Sequence, residues 1–231
     1  MIKDDLGFSF TKNGNFYFFG NKNSTLENLE KKVSHFSFAR LKQVHEDRVI
    51  ESKSPSSQGN IIEADAHITC INSLALCIYT ADCLPILIGS KDSSWVAGVH
   101  AGWRGVAKNI LGATIMTLVN KGIRRESLEL FVGPHILENS YEVDANVKEL
   151  VVKSTTNRNS RHFQASGDGK FLLNLQLVVL SQCLDLGLHE SQLSLATANT
   201  KLNLDYHSVR REPATPYRQL SFVCKLKKIG G

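Results

Sequence analysis

Three apolar runs, Leu74–Tyr79, Leu84–Gly89 and Trp95–His100, follow one another with only short polar breaks. Their lengths and their content of leucine, isoleucine and valine favour buried strands over helix. The longest apolar stretch, Ile71 to Ile88, is interrupted by Thr80, Asp82 and Pro85. A charge and a proline in its middle argue for strands joined by a turn, not for a membrane span. A hydrophobic content of 42% supplies a sizeable core around these strands and excludes disorder.

The rest of the chain surrounds this centre with mixed signals. Asn15 to Gly20 reads as an aromatic strand. Ser24-Thr25-Leu26-Glu27 reads as a capping box, after which Leu26, Leu29 and Val33 share a helical face. Glu51 to Asn60 is a polar loop. After Gly102, residues Val106, Ile110, Ala113 and Thr117 fall on one face of a helix that Gly122 stops. Leu128–Val132 is a further strand, turned by Gly133-Pro134. Asp144 caps a helix carrying Val147, Leu150 and Val151, and Lys153 to Lys170 reads as a mobile surface loop. Asn174 caps a helix with Leu175, Val179, Cys183 and Leu186 inward and Gly187 at its end. Final strands are expected near Leu193–Ala198 and Leu220–Leu226. No repeat and no shift of composition divides residues 1–231, so the expectation is a single mixed α/β domain.

Charge and cysteine usage bound the partners. A net charge of +5 with scattered basic residues offers no nucleic-acid patch, and the densest cluster, Lys225-Leu226-Lys227-Lys228, reads as a solvated tail. A modest positive field favours an anionic substrate such as phosphate. Met1-Ile2-Lys3-Asp4-Asp5 is followed by no apolar run, so no secretory signal is expected. Five cysteines without a CxxC pair suggest reduced thiols in a cytoplasmic protein with no membrane partner. Cys70, Cys77, Cys183 and Cys224 lie in apolar surroundings as small core residues, whereas Cys83 follows an aspartate at the end of an apolar run.

His45, Cys83 and His100 are the candidate chemical residues. Two imidazoles and a thiolate can hold a borderline metal such as zinc or copper and leave one coordination position open. The same groups can instead form a nucleophilic thiol with a histidine base. Taken singly, each also has a packing explanation, and their separation along the chain gives no local spacing that chooses.

The segments around them go further. Lys42-Gln43-Val44-His45, Ala64-Asp65-Ala66, Thr80-Ala81-Asp82-Cys83-Leu84-Pro85-Ile86 and Val99-His100-Ala101-Gly102-Trp103-Arg104-Gly105 occur in that order, followed by Gly133-Pro134, Tyr141-Glu142-Val143 and Ser208 with Arg210-Arg211. Together they resemble the multicopper polyphenol oxidoreductase (laccase-domain) family, also called the purine nucleoside phosphorylase family, over roughly residues 35 to 226. The resemblance implies a mixed α/β domain with a layered, sandwich-like sheet core, distantly similar to Cys-His deamidating toxin domains. It implies a metal site at His45, Cys83 and His100, zinc or alternatively copper. It implies phosphorolysis of purine nucleosides, with deamination of adenosine as a second activity. Copper-dependent phenol oxidation and a Cys-His hydrolase editing peptidoglycan precursors are the alternatives it carries; the histidines show no HxH pair for a multicopper cluster.

Roles follow from that reading. Cys83, His100, Asp82 and His135 are the catalytic candidates, with Asp82 or His135 as the acid that protonates the leaving purine. Gln43, Arg104 and Arg210 are the substrate-binding candidates, the two guanidinium groups for phosphate. Of Arg210 and Arg211, one is expected to be solvated. The chain departs from the family pattern at His135, where a cysteine is common, and at Ala196-Thr197, Asn174, Tyr206-His207 and Val209.

Overall fold

The structure is a computed structural model that describes residues 1–56, 61–157 and 159–227. The end of the polar loop expected over Glu51–Asn60, Arg158 of the expected loop Lys153–Lys170 and Lys228 of the basic cluster lie outside the described residues.

Two six-stranded sheets form the centre. The first runs, in spatial order, Ile2–Lys3, Gly7–Lys12, Asn15–Gly20, Gln219–Lys225, Leu74–Thr80 and Ser37–Ala39. The second runs Leu193–Leu195, Leu128–Val132, Leu84–Ser90, Val96–Ala101, Ala66–Thr69 and Val49–Glu51. The three apolar runs are strands, as expected, but they divide between the sheets. Leu84–Ser90 and Val96–Ala101 are antiparallel neighbours in the second, and Leu74–Thr80 belongs to the first.

Side-chain alternation explains why these strands lack a polar face. Leu74, Leu76 and Val223 of the first sheet pack on Leu87, Val96 and Phe131 of the second. Their neighbours Ala75, Cys77, Leu220 and Phe222 turn the other way, under Leu29 of the helix Leu26–Lys32. On the outer face of the second sheet, Leu84, Ile86 and Ile88 meet Ile110, Leu111 and Ile115 of one helix and Val178 and Val179 of another. Helix, sheet, sheet and helices therefore stack as layers, and both sheets are covered on both sides. This is the sandwich-like mixed α/β architecture expected. Among the described residues, no helix is long and apolar enough to cross a membrane.

Several local expectations are corrected. The first helix is capped by Thr25, whose side chain accepts from the Asn28 N–H, and not by Ser24. The Ser24 hydroxyl instead donates to the Asn21 carbonyl and accepts from the Leu220 N–H, tying the turn to the sheet. The helix after Gly102 is two helices, Trp103–Ala107 and Ile110–Asn120, broken at Asn109 with φ +61°. Asparagine tolerates this left-handed backbone, and its side chain restarts the helix by accepting from the Gly112 N–H. The expected loop Lys153–Lys170 contains the strand Phe163–Gly167, which pairs with Lys170–Leu173; that strand pairs in turn with Glu142–Asp144, making a third sheet.

Candidate functional site

The strand ends put the three chemical residues together. His45 follows the short strand Leu41–Lys42, Cys83 ends the turn between Leu74–Thr80 and Leu84–Ser90, and His100 is the penultimate residue of Val96–Ala101. Pro85 lies opposite His100 in the antiparallel ladder, which brings Cys83 alongside the histidine. The coordinating atoms of His45, Cys83 and His100 all lie within 4.8 Å of one another. Cys83 Sγ stands 4.0 Å from His45 Nε2, and the two imidazoles meet edge to face with centroids 4.7 Å apart.

The backbone is bent to allow this. His45 and Asp82 are non-glycine residues with φ of +62° and +91°. Such conformations cost energy and persist only where neighbours enforce them. At His45 the enforcer is Asp65, a fully buried carboxylate. It accepts from the N–H groups of Val44, His45 and Glu46 at 3.1, 2.9 and 2.8 Å, and from His100 Nδ1 at 2.7 Å. Burial alone would raise the Asp65 pKa, but the His100 and backbone hydrogen bonds hold it below the usual carboxylate value.

Electrostatics match the geometry. Burial would push the Cys83 thiol up, yet the His100 charge and hydrogen bonds from both imidazoles lower it to about 6. Burial would lower His100, yet the Cys83 thiolate and the Asp65 carboxylate raise it to about 9. Cys83 and His100 therefore each favour the charged form of the other. With His100 Nδ1 committed to Asp65, its Nε2 is the nitrogen left for a metal. Two imidazole nitrogens and a thiolate suit zinc or copper, so the residues fit the expected group.

These residues line a cleft of about 670 Å³. Gln43, Asp82, Arg104 and Arg210 also line it, so the structure brings together every candidate from the sequence except one. His135 does not line it among the described residues. Its ring is buried, 1% exposed, with Nδ1 donating to the Gly133 carbonyl at 2.8 Å, and burial lowers its pKa to about 4.

The other candidates differ in how free they are. Both Gln43 amide atoms are spent on the backbone of Tyr79, one donating to its carbonyl and one accepting from its N–H. Asp82 accepts from the Thr200 hydroxyl and from the Arg210 N–H, each at 2.7 Å, and its carbonyl accepts from the Ile136 N–H. It therefore ties the Cys83 turn to three other segments. Arg210 donates to the Glu142 carbonyl and packs over Tyr141, with its guanidinium on the cleft wall. Arg104 stacks on Trp103 at the same opening. Arg211 is not the solvated partner expected, because its guanidinium donates to the carbonyls of Thr200, Lys201 and Tyr206 and braces that loop.

Four residues were given no role from sequence. Asp65 stood only as part of a motif, although a lone acid between alanines before an apolar strand was a usable signal. Tyr79, Tyr141 and Arg218 also line the cleft. Arg218 arrives from a loop whose path no local pattern encodes.

The family model for multi-copper polyphenol oxidoreductase laccases matches residues 18–225. The chain belongs to that family. Among its relatives, a protein of Deinococcus radiodurans named purine nucleoside phosphorylase is 34% identical over 136 residues, covering 59% of this chain and 47% of its own length. One of Clostridium acetobutylicum with the same name is 28% identical over 230 residues, covering 97% and 94%. The chain matches about half the length of the first of these and nearly all of the second. The crystal structure of a Bacillus licheniformis hypothetical protein, YfiH, superposes with a TM-score of 0.86 at 22% identity, covering 93% of this chain and 94% of that one. A Neisseria meningitidis protein superposes with a TM-score of 0.81 at 22% identity, covering 97% and 100%. Family membership and layered fold thus agree.

Proposed function

We propose that this family member cleaves purine nucleosides by phosphorolysis in the His45–Cys83–His100 cleft, yielding the free base and ribose 1-phosphate. The observation that carries the reading is that Arg104 and Arg210 line the same cleft as His45, Cys83 and His100. Neither guanidinium has a carboxylate partner within salt-bridge distance among the described residues; Arg210 spends one N–H on the Glu142 carbonyl and keeps its remaining donors for a phosphate dianion. Guanidinium groups bind phosphate oxygens in a bidentate way. Relatives named purine nucleoside phosphorylase support the same substrate class.

In this reading a phosphate oxygen attacks ribose C1′ as the bond from C1′ to the purine nitrogen breaks. The electron pair of that bond passes to the purine, which takes up a proton from water in the open cleft. Arg104 and Arg210 hold and neutralise the phosphate, and Tyr79 and Tyr141 give the cleft apolar surface for the base. Asp82 acts by holding the Arg210 backbone in place. His45, Cys83 and His100 would hold zinc or copper, which when bound supplies Lewis acidity toward substrate and toward water. Deamination of adenosine, in which water adds at the purine C6 and ammonia leaves, is the second activity proposed for the same cleft.

A second reading is favoured by one observation. Cys83 Sγ set beside two imidazoles, whose hydrogen bonds and charge lower its pKa, is also the arrangement a thiol hydrolase acting on an amide requires. Chromatography of adenosine and inosine reactions, with and without phosphate, tests the choice. Base release that requires phosphate and disappears in Cys83→Ala supports phosphorolysis. Inosine formed from adenosine without phosphate indicates deamination alone. Activity that survives complete removal of metal favours the thiol nucleophile.

A further inference from the structure

We propose that Asp65 is the positioning residue of the site: one buried carboxylate sets both the backbone of His45 and the ring orientation of His100, and so presents both imidazoles to one metal ion. The inference rests on the three residues acting as a metal centre. It does not depend on which substrate is turned over.

The contacts divide the labour between the two carboxylate oxygens. Oδ2 accepts from the N–H groups of Val44 and Glu46, and Oδ1 accepts from the N–H of His45 and from His100 Nδ1. Three consecutive backbone donors converging on one carboxylate wrap residues 44–46 around it, and the residue at the centre of the wrap is His45, with φ +62°. Asp65 is also joined to His100 through the main chain, since its carbonyl accepts from the His100 N–H at 2.7 Å. The acid is 0% exposed and His100 3%, so no water competes for these bonds. A carboxylate that accepts from one ring nitrogen fixes which nitrogen remains to ligate, and partners of this kind contribute to metal affinity although they never touch the metal.

The substitution Asp65→Asn keeps the size and removes half of this pattern. An asparagine can offer only one acceptor oxygen, so its amide must face one of the two donor pairs. If it faces His45 N–H and His100 Nδ1, the ring loses its acceptor. If it faces Val44 and Glu46, two N–H groups in the tight turn meet a donor. Either arrangement disturbs one imidazole while leaving all three ligand side chains present.

Zinc affinity, measured by competition with a chromophoric chelator on the full chain, is expected to fall roughly 10–100-fold in Asp65→Asn. Leu118→Ala, a core truncation in the helix Ile110–Asn120, is a destabilised control expected to keep wild-type affinity. If Asp65→Asn binds zinc within twofold of wild type, or if Leu118→Ala loses as much affinity, Asp65 is only structural and the proposal fails. Histidine 15N NMR of the zinc-loaded wild-type protein needs no variant to fold. His100 should carry its proton on Nδ1 and bind metal through Nε2; metal on Nδ1 would overturn the proposal. Nucleoside turnover is assayed separately, so loss of the phosphorolysis reading leaves this result standing.

Discussion

Gly102 packs so closely beneath Cys83 that a β-carbon there would stand 2.9 Å from Sγ and 3.1 Å from His45 Cδ2. The glycine needs no unusual backbone; what it supplies is room for the thiol and the imidazole to face each other. Gly102→Ala should push the two apart without unfolding the strand that precedes it. Overpacking of this kind costs about 1–3 kcal/mol, which, borne by the ligand geometry, corresponds to zinc binding weaker by roughly 5- to 150-fold. Chelator competition beside a thermal melt checks this, and wild-type affinity in the variant would count against the packing argument.

The lowered Cys83 pKa makes a prediction for the metal-free protein. Alkylation by iodoacetamide should rise through a midpoint near pH 6, because the thiolate is the reactive form. Cys183 and Cys224, pushed up to about 12 by burial, should stay unmodified. Cys70 is exposed, so a Cys70→Ser background isolates the signal. In His100→Gln the main cation opposing burial is gone, and the midpoint should move to higher pH. Zinc loading should suppress the reaction. A midpoint unchanged by His100→Gln would show that the pair is not coupled.

Stability should fall on mild acidification. His67 and His135 are buried and neutral, with burial lowering their pKa values to about 3 and about 4 from the ordinary 6.5. Between those values the unfolded chain binds protons that the folded chain refuses, so stability is full above about pH 6.5 and is lost as pH drops. Each histidine contributes up to about 1.4 kcal/mol per pH unit in that window. Urea midpoints at pH 7, 6 and 5 measure the slope, which His135→Gln should make shallower. A flat profile would mean that neither ring stays neutral in the folded state.

Arg210 and Arg211, adjacent in sequence, should fail differently. Arg210→Ala keeps the backbone N–H that Asp82 holds and removes only the guanidinium from the cleft wall. Losing a charged hydrogen bond to phosphate costs about 1.5–3 kcal/mol, so KM for phosphate should rise ~10–100-fold with little change in melting temperature. Arg211→Ala releases the carbonyls of Thr200, Lys201 and Tyr206 and should chiefly lower the melting temperature. Equal effects of the two on phosphate KM would contradict the assignment of Arg210.

Much of the fold was legible in strands whose side chains are apolar on both faces, because burial there leaves no choice of residue. Leu74–Thr80 and Leu84–Ser90 are of this kind over most of their length. Short strands such as Val49–Glu51 escaped, because their pairing is set by distant partners and not by their own pattern. The strand Phe163–Gly167 falls within the expected loop Lys153–Lys170 because four of its five residues are exposed and its sequence carries no apolar alternation. In the site, His45, Cys83 and His100 were legible through their motifs. Asp65 was not assigned a role, since its importance lies in four hydrogen bonds that only the folded backbone delivers. His135 misled for the opposite reason: its position in a motif suggested the cleft, while the chain buries its ring elsewhere.

The central claim, phosphorolysis in the His45–Cys83–His100 cleft, is tested most directly by 31P NMR of the metal-replete protein with inosine and inorganic phosphate. The account predicts a growing ribose 1-phosphate resonance matched by loss of phosphate, absent in Cys83→Ala and slowed in Arg210→Ala. Unchanged phosphate, with inosine either intact or cleaved to free ribose, would contradict it.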